Sequence, residues 1–225
     1  MVRPTADERQ RLSDGALREI YWSRPASAIV PRSDHLALYT HAADHVGRDK
    51  PIVYLEFGVA QGLSMSRMTS LFSSTDSRFY GFDSFVGLPE DWLMHSRGAF
   101  SNNGVPPALH DKRVTFVKGW FQNSLPAFLK STTLDRDATY LVHFDADLYS
   151  SDLFLLTTLW HAIGSYFFIF DDFIYDDVIA LSDFMAAYPV SVEFMAQTRG
   201  GGDERPNPDQ VFGSMKRIEM VVPTD

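Results

Sequence analysis

A chain of 225 residues, 45% hydrophobic and 14% aromatic, can bury one sizeable core, and no composition shift divides it. A net charge of −9 without a Lys/Arg cluster speaks against a nucleic-acid partner, and zero cysteines exclude disulfides, thiolate metal sites and a cysteine nucleophile. No apolar stretch reaches the ~18 residues of a membrane span, and no signal-peptide core follows the charged N-terminus. The expectation is one domain over residues 1–225, cytoplasmic, with no membrane partner; a homo-oligomer is compatible with this.

Residues 1–50 read as a helical segment. Thr5-Ala6-Asp7-Glu8 has the form of a capping box, which predicts a helix from there to Gly15 or beyond. Ser33 is placed to cap a second helix carrying Leu36, Leu38, Tyr39 and Val46. Its His41 and His45 have zinc-compatible spacing, but they lack a third ligand and read as solvated or capping residues.

From residue 51 strands and helices alternate. From Ile52 a short apolar run ends in Glu56, turns through Gly58 and Gly62, and opens a helix carrying Met65, Met68 and Leu71. Strand, tight glycine turn and helix form the unit that brings bare backbone against a nucleotide-like ligand. The next strand, Phe79–Asp83, ends in an acid 21 residues past Gly62, able to hold two ribose hydroxyls. Further strands are expected at Val114–Val117, Tyr140–Phe144 and Tyr166–Phe170, with helical stripes Leu153/Leu156/Trp160/Ile163 and Val178/Leu181/Met185/Tyr188. Apolar strands between amphipathic helices imply a parallel sheet covered on both faces. The tail reads as two strands, 190–196 and 211–221, joined by the Gly/Pro-rich loop 199–210 as an antiparallel hairpin.

In open parallel sheets ligands bind beyond the carboxyl ends of the strands. Here those ends carry Glu56, Asp83, Asp145, Asp171 and Asp172, an expensive convergence unless a cation sits among them. Oxygen ligands suit Mg²⁺, and Asp145, Asp171 and Asp172 are the candidate set. Adjacent strand residues point to opposite faces, so Asp171 and Asp172 share an ion only if the strand has already ended. Asp147 reads as a turn residue, and His143, two residues before Asp145, as a core histidine or a general base. Residues 93–113 form a long loop of the length often used as a lid, carrying His95 and His110.

The spacing Glu-x-Gly-x-x-x-Gly is not Gly-x-Gly-x-x-Gly, so a nicotinamide dinucleotide fits poorly, though an oxidoreductase stays open. Glu56–Gly62, Gly81–Trp92, Lys118–Pro126, Asp145–Ser151 and Asp171-Asp172, in that order, resemble the macrocin/mycinamicin O-methyltransferase family. The resemblance implies a Rossmann-like class I methyltransferase fold: a mostly parallel seven-stranded sheet with a C-terminal antiparallel hairpin, using S-adenosylmethionine and Mg²⁺ on a sugar or polyol hydroxyl of a natural product. It places Glu56, Gly58, Ala60, Gly62 and Ser64 at the methionine part of the cofactor, Asp83 and Ser84 at the ribose, and Gly119, Trp120 and Phe121 at the adenine. It puts Asp145, Asp171 and Asp172 at the metal; the proton of a small-molecule acceptor then needs a nearby base, His143 or a loop histidine, with Asp145 as the base if no metal is used. Gly164-Ser165 and Phe173 depart from the family pattern, marking a distant branch; a metal-independent enzyme and a non-catalytic cofactor-binding module are the rivals.

Overall fold

The computed structural model of the chain describes residues 5–30, 36–199 and 208–218. Helix α1, Ala6–Ala16, is closed at its start by the reciprocal box between Thr5 and Glu8, and runs on into a π-helical turn at Leu17–Tyr21. Then come β1 (Ala28–Val30), α2 (Ala37–Val46), β2 (Val53–Phe57), α3 (Leu63–Leu71), β3 (Arg78–Asp83) and β4 (Val114–Lys118). They are followed by α4 (Phe121–Ser131), β5 (Tyr140–Phe144), α5 (Tyr149–Ala162), β6 (Ser165–Phe170), α6 (Asp176–Ala187), β7 (Val190–Arg199) and β8 (Pro208–Arg217). The expected cap Ser33 lies outside the described residues, as does the whole of 200–207 between β7 and β8. No described helix is long and apolar enough to cross a membrane.

All seven expected strands form, and an eighth joins them. The sheet order is β1-β7-β8-β6-β5-β2-β3-β4, with β8 antiparallel to β6 and β7 and every other pairing parallel. β1 is too short for a period-2 pattern to register in the sequence; it pairs with Ala196–Thr198, so β7 runs past the expected end at residue 196. Helix α4 was also not read from the sequence, because Pro126 interrupts its pattern. One apolar core lies under α1, α4, α5 and α6, with Leu125, Leu155, Leu159, Leu181 and Phe184 fully buried. The second lies under α2 and α3, around Leu38, Ala42, Met65 and Met68. No helix crosses from β3 to β4; residues 84–113 make that connection as irregular chain.

The sheet reverses its winding between β2 and β5, where parallel sheets open a ligand crevice. Gly58 stands at that point with φ +94°, and a Cβ built on it would lie 1.7 Å from the Asp145 carbonyl oxygen. Only a glycine lets the ends of β2 and β5 come this close. Gly58→Ala is expected to cost about 2–4 kcal/mol, from the positive φ and the backbone clash together. Urea unfolding measures this, and a loss within roughly 0.5 kcal/mol, the range of ordinary surface substitutions, would remove that role.

Candidate active site

A cavity of about 760 Å³ opens beyond the carboxyl ends of the central strands. Gly58 and Ala60 reach it from the turn after β2, Asp83 and Ser84 from β3, Gly119, Trp120 and Phe121 from the entry to α4. Asp145 and Asp147 follow β5, and Asp171 and Asp172 follow β6. Most of the candidate cofactor and metal residues therefore share one wall.

Glu56, Gly62, Ser64 and His143 do not line it. Glu56 is fully buried, taking hydrogen bonds from the Ser64 hydroxyl at 2.7 Å and the Tyr54 hydroxyl at 2.8 Å. It braces the turn from beneath instead of facing the cavity. Asp83 is largely committed too. Its Oδ2 accepts from the amides of Val59 and Ala60 at 2.9 and 2.8 Å, and its Oδ1 from Phe85 N at 2.7 Å. A carboxylate has about four acceptor positions, so one is left for a ligand hydroxyl, not the expected two.

His143 is corrected as a base. It is fully buried, with Nδ1 2.9 Å from the Tyr54 hydroxyl, 3.9 Å from Glu56 Oε2, and Nε2 3.7 Å from Asp171 Oδ1. Burial alone would lower its pKa, but Asp171 and Glu56 outweigh burial and raise it to about 10. With its pKa at about 10 the ring keeps its proton between two acids, and it does not line the cavity, so it has no lone pair to offer a substrate hydroxyl.

The carboxylates regroup as well. The three whose oxygens lie within 4.8 Å of one another are Asp145, Asp147 and Asp172. Asp171, expected in the set, turns the other way. Its amide still donates to Phe144 O at 3.0 Å, continuing the sheet ladder, so its side chain faces α2. There Oδ1 accepts from Tyr39 at 2.7 Å and from Gln210 at 2.5 Å. Burial pushes Asp171 up, but His143, Tyr39 and Gln210 outweigh it and hold the acid below the ordinary range. Asp147 takes its place from a left-handed backbone, φ 63°, which the sequence does not announce. The Asp-x-Asp spacing was the only available signal.

The N-terminal helix reaches this edge from outside. Arg9 Nη1 bonds Asp176 Oδ2 at 2.9 Å, and the Ser13 hydroxyl accepts from Tyr175 N at 3.0 Å, tying α1 to the loop that follows Asp172. Of the histidines weighed above, His95 lines the cavity and His110 does not. His41 and His45 pack edge-on against Phe212. Within residues 84–100 the chain is tied back on itself by Leu88 N to Ala99 O at 3.0 Å and Gly98 N to Leu88 O at 2.9 Å.

Within the carboxylate trio burial is the largest influence. Asp145 is raised well above its ordinary value by burial, then by Asp171; Asp147 is raised to about 8 by burial, then by Asp172; Asp172 is raised to about 6 by burial, then by Asp171. On α5, burial raises Asp152 to about 7 against a hydrogen bond from the Asp177 carboxyl, which lowers it. Such groups bind protons more tightly folded than unfolded, so without a cation they weaken the fold as pH climbs from about 4 towards 8. His143, with its pKa raised to about 10, adds a loss in the same direction above 6.5. The melting temperature in chelator is expected to fall between pH 5 and pH 8, and Asp147→Asn to flatten that slope. A melting temperature that rises across this interval would contradict the assignment.

Comparison with known proteins agrees with this geometry. The family described as Methyltransferase domain matches residues 55–172, just over half of the chain. Among solved structures, the calicheamicin methyltransferase CalS11 matches at 18% identity and TM-score 0.55, over 93% of this chain and 94% of that one. An O-methyltransferase from Bacillus cereus in complex with SAH matches at 15% identity and TM-score 0.51, over 96% and 94%. At these identities the likeness establishes the fold. Among curated proteins no match is found. With motifs, sheet topology and family model in agreement, the chain belongs to the Methyltransferase domain family and has the class I methyltransferase fold.

Proposed function

We propose that the protein is an S-adenosylmethionine-dependent O-methyltransferase acting on a hydroxyl of a small molecule, a sugar or other polyol, with Mg²⁺ held by Asp145, Asp147 and Asp172. One observation carries this reading: a single cavity joins the glycine turn and Asp83 to the carboxylate trio. The two structural neighbours, one a calicheamicin methyltransferase and one an O-methyltransferase with SAH, support it as analogy. The donor chemistry fits the ion. Mg²⁺ takes oxygen ligands at about 2.1 Å, which sets neighbouring donors about 3–4 Å apart, within the span of the trio. Bound there, Mg²⁺ would lower the pKa of a coordinated acceptor hydroxyl.

The rest falls to the chain's own side chains. Asp83 offers its remaining acceptor position to one ribose hydroxyl, and Trp120 with Phe121 supplies the wall for the adenine. The cavity walls bring hydroxyl oxygen and methyl carbon into line, and positioning governs such a displacement. As the O–C bond forms, the S–C bond breaks and S-adenosylhomocysteine departs. The hydroxyl proton passes to a carboxylate oxygen of the trio that does not hold the ion.

S-adenosylhomocysteine is expected to bind and to raise the melting temperature by mass action. Asp83→Asn should weaken that binding about tenfold, or about 1.4 kcal/mol. Turnover of S-adenosylmethionine with a panel of vicinal diols should stop in chelator and return with Mg²⁺. Calorimetry that finds no S-adenosylhomocysteine binding ends the reading, and full turnover in chelator removes the ion while leaving the trio as proton acceptor.

A further inference from the structure

We propose that the ring surface of His95 and Phe100, backed by Trp92, binds an aromatic or similarly planar apolar group of the acceptor, so that the substrate is an aryl-bearing polyol and not a free sugar. This rests on the methyl-transfer reading above and names the substrate class of the same cavity. Trp92, His95 and Phe100 all line it, together with Leu88, from the connection between β3 and β4. None of them belongs to the glycine turn, the entry to α4 or the carboxylate trio.

The three rings form one unit. Trp92 is buried and stacks on His95 at 5.7 Å between centroids and 14° between planes; His95 meets Phe100 at 4.7 Å and 51°. Reciprocal amide bonds, Trp92 N to His95 O at 2.8 Å and His95 N to Trp92 O at 2.7 Å, close the turn that holds the first two. Rings held together by these contacts present one continuous surface to the cavity, and a surface already assembled lowers the entropy cost of binding.

Phe100 is the residue that folding alone does not explain. Its φ is 62°, a left-handed backbone that strains a side chain with a Cβ and is an outlier for a bulky one. The residue is also 49% exposed, so little burial offsets that strain. Glycine or asparagine would adopt this backbone more readily. Leu93 in the same connection is similarly strained and exposed, but only Phe100 lines the cavity, where its ring is open to a ligand. Planar groups stack on such rings in offset or edge-on arrangements, whereas a bare polyol gains little from them.

Phenyl β-glucoside and methyl β-glucoside share the same hydroxyls and differ only in the ring. On the protein saturated with S-adenosylhomocysteine and Mg²⁺, calorimetry is expected to show the phenyl glycoside binding at least tenfold more tightly. Phe100→Gly, which removes the ring and accepts the left-handed backbone, should bring the two glycosides within twofold of each other. S-adenosylhomocysteine affinity should stay within twofold of the parent. No gain from the phenyl group in the parent, whether both glycosides bind equally or neither binds, overturns the proposal. So does a loss of S-adenosylhomocysteine affinity in Phe100→Gly, which would assign the rings to the adenine. Failure of the parent itself to bind S-adenosylhomocysteine is a different result and strikes the methyl-transfer reading instead.

Discussion

Negative charge gathered at the ends of β5 and β6 sets the terms for the rest of the site. Two ionised carboxylates 4 Å apart repel by about 4 kcal/mol at the effective dielectric of a protein surface. Asp145, Asp147 and Asp172 have oxygens within 4.8 Å of one another, and the total stability of a fold is only about 5–15 kcal/mol. The fold therefore either keeps protons on this trio or accepts a cation there. Its resident cations are already engaged: His143 lies between Glu56 and Asp171, and Arg9 pairs with Asp176. Asp171 stays ionised because His143, Tyr39 and Gln210 surround it; the trio lacks comparable donors.

The framework was legible because it rests on local pattern. The apolar runs at Val53–Phe57, Tyr140–Phe144 and Ser165–Phe170 are central strands buried on both faces, and such strands read as continuous hydrophobic segments. The glycine turn was legible through Gly58, whose absent Cβ leaves room for the Asp145 carbonyl. Side-chain direction at strand ends was not. Asp171 and Asp172 are neighbours, and one more residue of ladder pairing sends the first towards Tyr39 and leaves the second beside Asp145. Asp147 enters the trio from a positive φ that no residue pattern encodes. His143 was placed on the right strand, but its isolation depends on Tyr54 and Glu56 from β2, a contact of long sequence separation.

Residues outside the family match also shape the site. Tyr39 on α2 donates to Asp171, and Arg9 and Ser13 on α1 hold the segment around Tyr175. Tyr175 itself has φ 45°, a strained entry to α6 that the bond from its amide to Ser13 helps to fix. The N-terminal segment thus serves as an outer brace on the loop carrying Asp172. Its capping box was readable from the sequence, whereas its docking partners were not.

Proton release on Mg²⁺ binding tests the charge balance most directly. If Asp145 and Asp147 carry protons in the cation-free protein near pH 7, an ion held by the trio must displace them. Mg²⁺ titration calorimetry in two buffers of different ionisation enthalpy reads that release. The expected result is a net release of protons on Mg²⁺ binding at pH 7, with the share from Asp147 shrinking as pH rises past about 8. No heat of binding, or binding with no proton release at pH 7, would contradict the cation site at this trio.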